Sequence, residues 1–152
     1  MKSFRSWSAR LSLSLFAVGV SGSVLAASAA PAFPNPCSLV TVAEMQQLVG
    51  KLAGTPKVSD GNSCSYEPAN GPSFVDVELH DGKLSDWKQL NGGKNPVGVP
   101  EFGPDAFVNL DFQGWSDLYV KKGNLVLRVT MPKGPQSVDT VKAIARKALT
   151  RL

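Results

Sequence analysis

Between Ala106 and Met131 apolar and polar residues alternate in three successive segments. A chain with that pattern must build an antiparallel sheet with one dry face. Ala106, Val108 and Leu110 mark the dry side of the first segment and Leu118 and Val120 that of the second. Leu125, Leu127, Val129 and Met131 mark that of the third. Keeping these sides together restricts the turns, because a slip of one residue moves every side chain to the other face. A two-residue loop at Lys122–Gly123 sets Val120 against Leu125 and Leu118 against Leu127. It also places Asp117 opposite Arg128, a favourable cross-strand pair. Upstream, a three-residue loop Phe112–Gln113–Gly114, with Gly114 left-handed, pairs Val108 with Leu118 and Phe107 with Tyr119. Ser73 to His80 alternates in the same way. Val75, Val77 and Leu79 face one side; Phe74, Asp76, Glu78 and His80 face the other.

Helices supply the cover. Thr41 and Glu44 form a capping box, Val40 and Met45 a hydrophobic staple, and Gly50 a C-terminal stop, which bounds a helix over 42–49. Near the end, Val138, Val141, Ile144, Ala145, Ala148, Leu149 and Leu152 form one stripe, with Ser137 as N-cap. Lys142, Arg146, Lys147 and Arg151 face outward. Such a basic amphipathic helix can bind membranes, but here a sheet needs covering and the helix suits that task. A short helix over 84–90 would turn Leu84, Trp87 and Leu90 inward. Residues 64–67 read as a short strand, 55–62 as loop, and the Gly- and Pro-rich 91–104 as a long loop. The expected fold is α+β: an antiparallel sheet of about four or five strands, with N-terminal and C-terminal helices on one face and one disulfide.

The first residues read differently. Lys2, Arg5 and Arg10 precede or flank the apolar run LSLSLFAVGV at 11–20, and the Ala- and Ser-rich SGSVLAASAA follows. That is the pattern of a cleaved secretory signal, with cuts possible after Ala26 or Ala29. The run is shorter than the roughly 20 residues a membrane span requires, so no stable anchor is expected after cleavage. The division is a signal over 1–29, an arm over 30–36 and a single domain over 37–152. Of the 16 basic residues the leader holds three, leaving 13 against 12 acidic ones. The remaining chain is nearly neutral, and nucleic acid is not an expected partner. An exported protein is oxidised, so Cys37 and Cys64 should pair. They are too far apart for a redox C-x-x-C, and one histidine in the whole chain leaves too few ligands for zinc.

Several short motifs carry a family resemblance. Asn35-Pro36-Cys37-Ser38-Leu39-Val40-Thr41 runs into Ala43-Glu44, and Cys64-Ser65-Tyr66 follows. Phe102-Gly103-Pro104-Asp105-Ala106-Phe107, Tyr119-Val120-Lys121-Lys122-Gly123-Asn124 and the terminal helix come later. The series resembles a family of secreted bacterial domains of unknown function, best known as small cell-envelope lipoproteins of actinobacteria. The likeness spans nearly all of the chain beyond the leader. It implies an envelope compartment and this fold, and it supplies no catalytic residue. The chain departs from those lipoproteins in lacking the lipidated cysteine: Cys37 lies well beyond the leader and follows Pro36.

Catalytic signatures are missing. His80 has no G-x-S-x-G elbow to serve, and no catalytic residue, metal ligand or cofactor is assigned. Asp76 and Glu78 on one strand, and Asp111 and Asp117 on others, read most simply as charge alternation on a wet face. The sharper candidate is the aromatic content of that face. Phe107, Trp115, Tyr119 and Arg128, with Phe74 nearby, form a candidate contact surface for an envelope protein or a small apolar ligand. The expected function is therefore an envelope binding or accessory module. Its rivals are an enzyme using carboxylates beside the 91–104 loop, and a structural or inhibitory secreted protein.

Overall fold

The computed structural model describes residues 33–91 and 96–152. The leader and the start of the arm lie outside the described residues, as does part of the 91–104 loop.

Seven strands form one antiparallel sheet: β1 (Lys57–Ser59), β2 (Ser63–Tyr66), β3 (Val75–Asp81), β4 (Val97–Gly98), β5 (Phe107–Phe112), β6 (Trp115–Lys122) and β7 (Leu125–Pro132). Their order is β1-β2-β3-β7-β6-β5-β4. Three helices accompany them: α1 (Val42–Val49), α2 (Leu84–Asn91) and α3 (Ser137–Leu149). The α+β class matches expectation and the strand count does not. The additional strands are β1 and β4, of three and two residues. β1 is exposed throughout and β4 lies within the Gly- and Pro-rich segment. Segments that short carry no alternation, so nothing in their sequence marks them as strands.

The meander shows where turn chemistry decides. Lys122 pairs with Leu125, so the β6–β7 turn is Gly123–Asn124, not Lys122–Gly123. The register is displaced by two from the expected one, which preserves the faces but sets Tyr119, not Asp117, opposite Arg128. Gly123 at φ 60° takes the first turn position, where a II′ turn demands a glycine. Between β5 and β6 the expected pairing holds, Phe107 with Tyr119 and Val108 with Leu118. The extra residue sits elsewhere, however. The turn has two residues, Gln113 (φ 55°) and Gly114 (φ 86°), and an irregularity between Asn109 and Phe112 absorbs the third. That irregularity leaves Leu110 42% exposed, where alternation alone would bury it.

One face of the sheet carries the main core. Val75, Val77, Leu79, Val108, Leu118, Val120, Leu127 and Val129 pack with Met45 of α1 and Val141, Ile144, Ala145 and Ala148 of α3. The Thr41–Glu44 capping box forms as read from sequence, and Gly50 ends α1 at φ 83°. Ser137 begins α3 but is not its N-cap. That position is Gln136, while the Ser137 hydroxyl is buried between Gly134 O (2.9 Å) and Ser116 Oγ (2.7 Å). The Cys37–Cys64 disulfide ties the turn Pro36–Ser38 to β2. Tyr66 Oη donates to Val40 O at 2.6 Å and fixes the start of α1 over the same strand. Both main helices thus occupy one face. The opposite face is left to α2 and to solvent.

Candidate functional site

That second face is built by Asp76, Glu78 and His80 of β3, Val126, Arg128 and Thr130 of β7, Asp117 and Tyr119 of β6, and Phe107 of β5. Antiparallel pairing aligns them: Asp76 with Thr130, Glu78 with Arg128, His80 with Val126, and Tyr119 with both Arg128 and Phe107.

Its lower part is closed. α2 lays Leu84 and Trp87 over Phe107, Tyr119 and Val126, forming a second small core. Phe107 and Tyr119 stack at 4.7 Å and are 0% exposed. In this conformation neither can touch a ligand; they serve as packing. Leu90, expected inward, is 76% exposed, because an eight-residue helix turns only one narrow stripe to the sheet. Trp115 lies apart, half-buried against Phe74 at 4.8 Å. Arg128 is the member of the expected set that occupies the centre of the face.

Arg128 organises a charge network. Its Nη2 meets Asp117 Oδ1 at 2.7 Å and its Nη1 meets Glu78 Oε2 at 3.3 Å. Thr130 Oγ1 donates to the same Asp117 oxygen at 2.7 Å. Glu78 Oε2 also contacts His80 Nε2 at 2.8 Å, and the His80 ring rests on Trp87 at 4.3 Å. The Asp117 side chain is 0% exposed. This corrects the wet-face reading: Asp117 is a buried charge whose partner is the diagonal Arg128. Burial by itself would lower the pKa of Arg128, but the charges of Glu78 and Asp117 outweigh it and hold the pKa above the ordinary value. Burial likewise opposes ionisation of Glu78, yet the His80 hydrogen bond and the Arg128 charge prevail and lower its pKa. Burial pushes the Tyr119 hydroxyl up. Arg128 leans over the ring, 5.7 Å from its centre, and opposes that rise, chiefly through its charge.

The upper part of the face is open. Ser59, Asp60, Asn62, Ser63, Ser65, Asp76, Glu78 and His80 line a cleft of about 440 Å³. Every one of these side chains carries a hydrogen-bonding group. Asn62 ties the rim to the sheet by donating to Leu79 O at 3.0 Å. Asp76 is its unusual member. One oxygen, Oδ1, is buried and has no hydrogen-bond partner. Burial raises the pKa of Asp76, with the Glu78 charge adding to the rise and Ser65 and Arg128 opposing it. A carboxyl group raised by burial beside a second carboxylate held ionised is the kind of pair that marks a candidate site. A larger groove of about 550 Å³ lies at the end of the sheet, among Leu48, Pro72, Met131, Pro135, Ser137 and Thr140. The buried Ser137 hydroxyl there is already satisfied within the protein. No group of three or more His, Cys, Asp or Glu among the described residues is arranged to hold a metal ion.

The sequence contains every member of this cleft, and the alternation over Ser73–His80 puts Asp76, Glu78 and His80 on one side. It does not reveal that β3 pairs with β7, which sets Arg128 beside Glu78, or that β2 closes the other wall.

No family model matches the chain, and no curated protein matches it. Among solved structures, a GTP binding regulator from Thermotoga maritima is similar over 75% of this chain and 91% of its own, at 17% identity and a TM-score of 0.38. A similarity that low carries no argument about this chain.

Proposed function

We propose that this protein is an exported binding or accessory module of the cell envelope, and that it takes a small polar ligand in the cleft on the face of β1, β2 and β3. The basic, apolar and small-residue leader supports export, as does the Cys37–Cys64 disulfide, which persists only in an oxidising compartment. Among the described residues no helix is long and apolar enough to cross a membrane. The observation that carries the ligand reading is the open cleft itself, lined wholly by hydrogen-bonding groups with Asp76 and Glu78 on its wall. A ligand with hydroxyl or ammonium donors would pair with the carboxylates and hydroxyls of that lining. An apolar ligand would not, and the aromatic pair that could have held one is sealed beneath α2.

The test is a panel of small polyols and amines titrated against the oxidised protein, read by amide shifts of β2 and β3. At least one class should give saturable shifts at Ser65, Asp76 and Glu78, and these should vanish in Asp76→Leu. Shifts of equal size in Asp76→Leu would exclude this cleft.

One observation favours an enzyme as the second reading. Asp76 is pushed up and Glu78 pushed down on the same strand face, which is how paired carboxylates divide acid and base roles. The pair lies on β3, not beside the 91–104 loop. Turnover of a bound ligand, lost in both Asp76→Asn and Glu78→Gln, would establish it. Ligand recovered unchanged after long incubation would leave binding as the function.

A further inference from the structure

A second cavity lies on the other side of α2. Lys83, just before α2, and Ser85 and Lys88 within it line about 260 Å³ together with Lys121 of β6 and Asp105, over buried Leu84. An adjoining cavity of about 280 Å³ shares Leu84, Asp105 and Lys121 and continues to Gly123, so the two form one trough. None of the three lysines has a carboxylate within 4.0 Å among the described residues. Lysines elsewhere do: Lys142 meets Glu101 at 2.9 Å and Lys147 approaches Glu44 at 3.9 Å. Lys88 Nζ lies 5.9 Å over the Phe107 ring, which keeps it turned toward the sheet.

Three lysines line the cavity against one carboxylate, Asp105, which leaves its lining with a net charge of +2 in a chain whose part beyond the leader has 13 basic and 12 acidic residues. We propose that this trough is an anion site that takes a phosphate group. Lysine is a compact point charge that suits a tetrahedral, multiply charged oxyanion. A planar carboxylate pairs better with the arginine fork, and no arginine lines the cavity. The first N–H groups of α2 point the same way in principle. Asp86 also sits in that turn and takes the Ser85 hydroxyl at 3.1 Å, so the lysines carry the charge argument.

Phosphate titration at constant ionic strength tests the site, with chloride as the matched control and amide shifts of Leu84, Ser85 and Lys121 as the readout. The wild type should give saturable shifts with phosphate and none with chloride. Lys83→Gln/Lys88→Gln/Lys121→Gln should weaken binding about tenfold, the sum expected of three exposed charge contacts. Lys51→Gln/Lys57→Gln should leave it unchanged. Should the triple variant fail to fold, Lys83→Gln/Lys121→Gln, which retains Lys88 over Phe107, gives the same comparison. Non-saturable shifts, equal shifts with chloride, or undiminished binding in the lysine variants would overturn the proposal. Dimethyl phosphate separates the sources. Binding as tight as that of inorganic phosphate identifies a diester, as in a polymer or lipid headgroup. Binding of inorganic phosphate alone identifies a free or terminal phosphate.

Discussion

Asp117 is a carboxylate with no exposed side-chain surface, held by Arg128 and Thr130. Removing one partner of such a pair strands the other in a medium that solvates it poorly. Arg128→Met should therefore cost about 3 kcal/mol in urea unfolding, and Arg128→Met/Asp117→Leu should recover part of the loss. A double variant no more stable than the single one would show that Asp117 is not the stranded charge. Glu44 makes the opposite case at the surface. The Arg151 hydrogen bond, helped by Thr41, lowers its pKa from 4.5 to about 2. The folded pKa is depressed, so its stabilisation is present above pH 4.5 and fades as pH falls toward 2. Glu44→Gln should flatten the stability profile between those values, and an unchanged slope would refute the assignment. This residue scale was the least legible in the sequence. The capping partner of Glu44 could be read from three positions of spacing. The burial of Asp117 could not, because alternation on a strand looks the same whether the polar side meets water or an arginine brought in by another strand.

Among elements, α2 is the one with two consequences. It seals the aromatic pair and separates the polar cleft from the lysine trough. Its hold on the sheet rests chiefly on Leu84 and Trp87. Amide exchange should therefore open α2 well before β6 or β7, and equal protection across all three would contradict that order. Leu84→Ala, which empties the small core, should cost about 2–3 kcal/mol in denaturant unfolding. The β5–β6 turn offers a gain. Gln113 holds a left-handed conformation that costs about 1–2 kcal/mol for a residue with a side chain. Gln113→Gly relieves that strain against a smaller loss of chain entropy, and should raise stability by about 0.5–1 kcal/mol. Elements with strong periodicity or caps, α1 and the three meander strands, were legible. The β6–β7 turn lies one residue beyond the place alternation suggests, because Lys122–Gly123 and Gly123–Asn124 both keep the faces together and differ only in which residue must adopt positive φ.

The described residues form a sheet with a dry face under two helices and a charged face half covered by a third. The layer order followed from the terminal stripe at Val138–Leu152 and the alternation at Ala106–Met131. What could not follow was which strands meet across the middle, since β3 and β7 are separated by α2, β4, β5 and β6 in the chain. That one pairing creates the cleft, by setting Asp76 and Glu78 against Thr130 and Arg128. The disulfide acts at this scale as well. It closes a separation of 27 residues, and its reduction should cost roughly 3 kcal/mol, read as a fall in the urea midpoint. The central claim is that Asp76 and Glu78 share the cleft wall and are driven apart in their readiness to ionise. Carbon-detected titration of the side-chain carboxyls measures this directly in the free protein. The account predicts that Asp76 titrates above its ordinary 3.8 while Glu78 titrates below its ordinary 4.5. Asp76 titrating at or below 3.8 would mean that burial does not set it apart from Glu78, and the cleft would lose its claim to be a binding site.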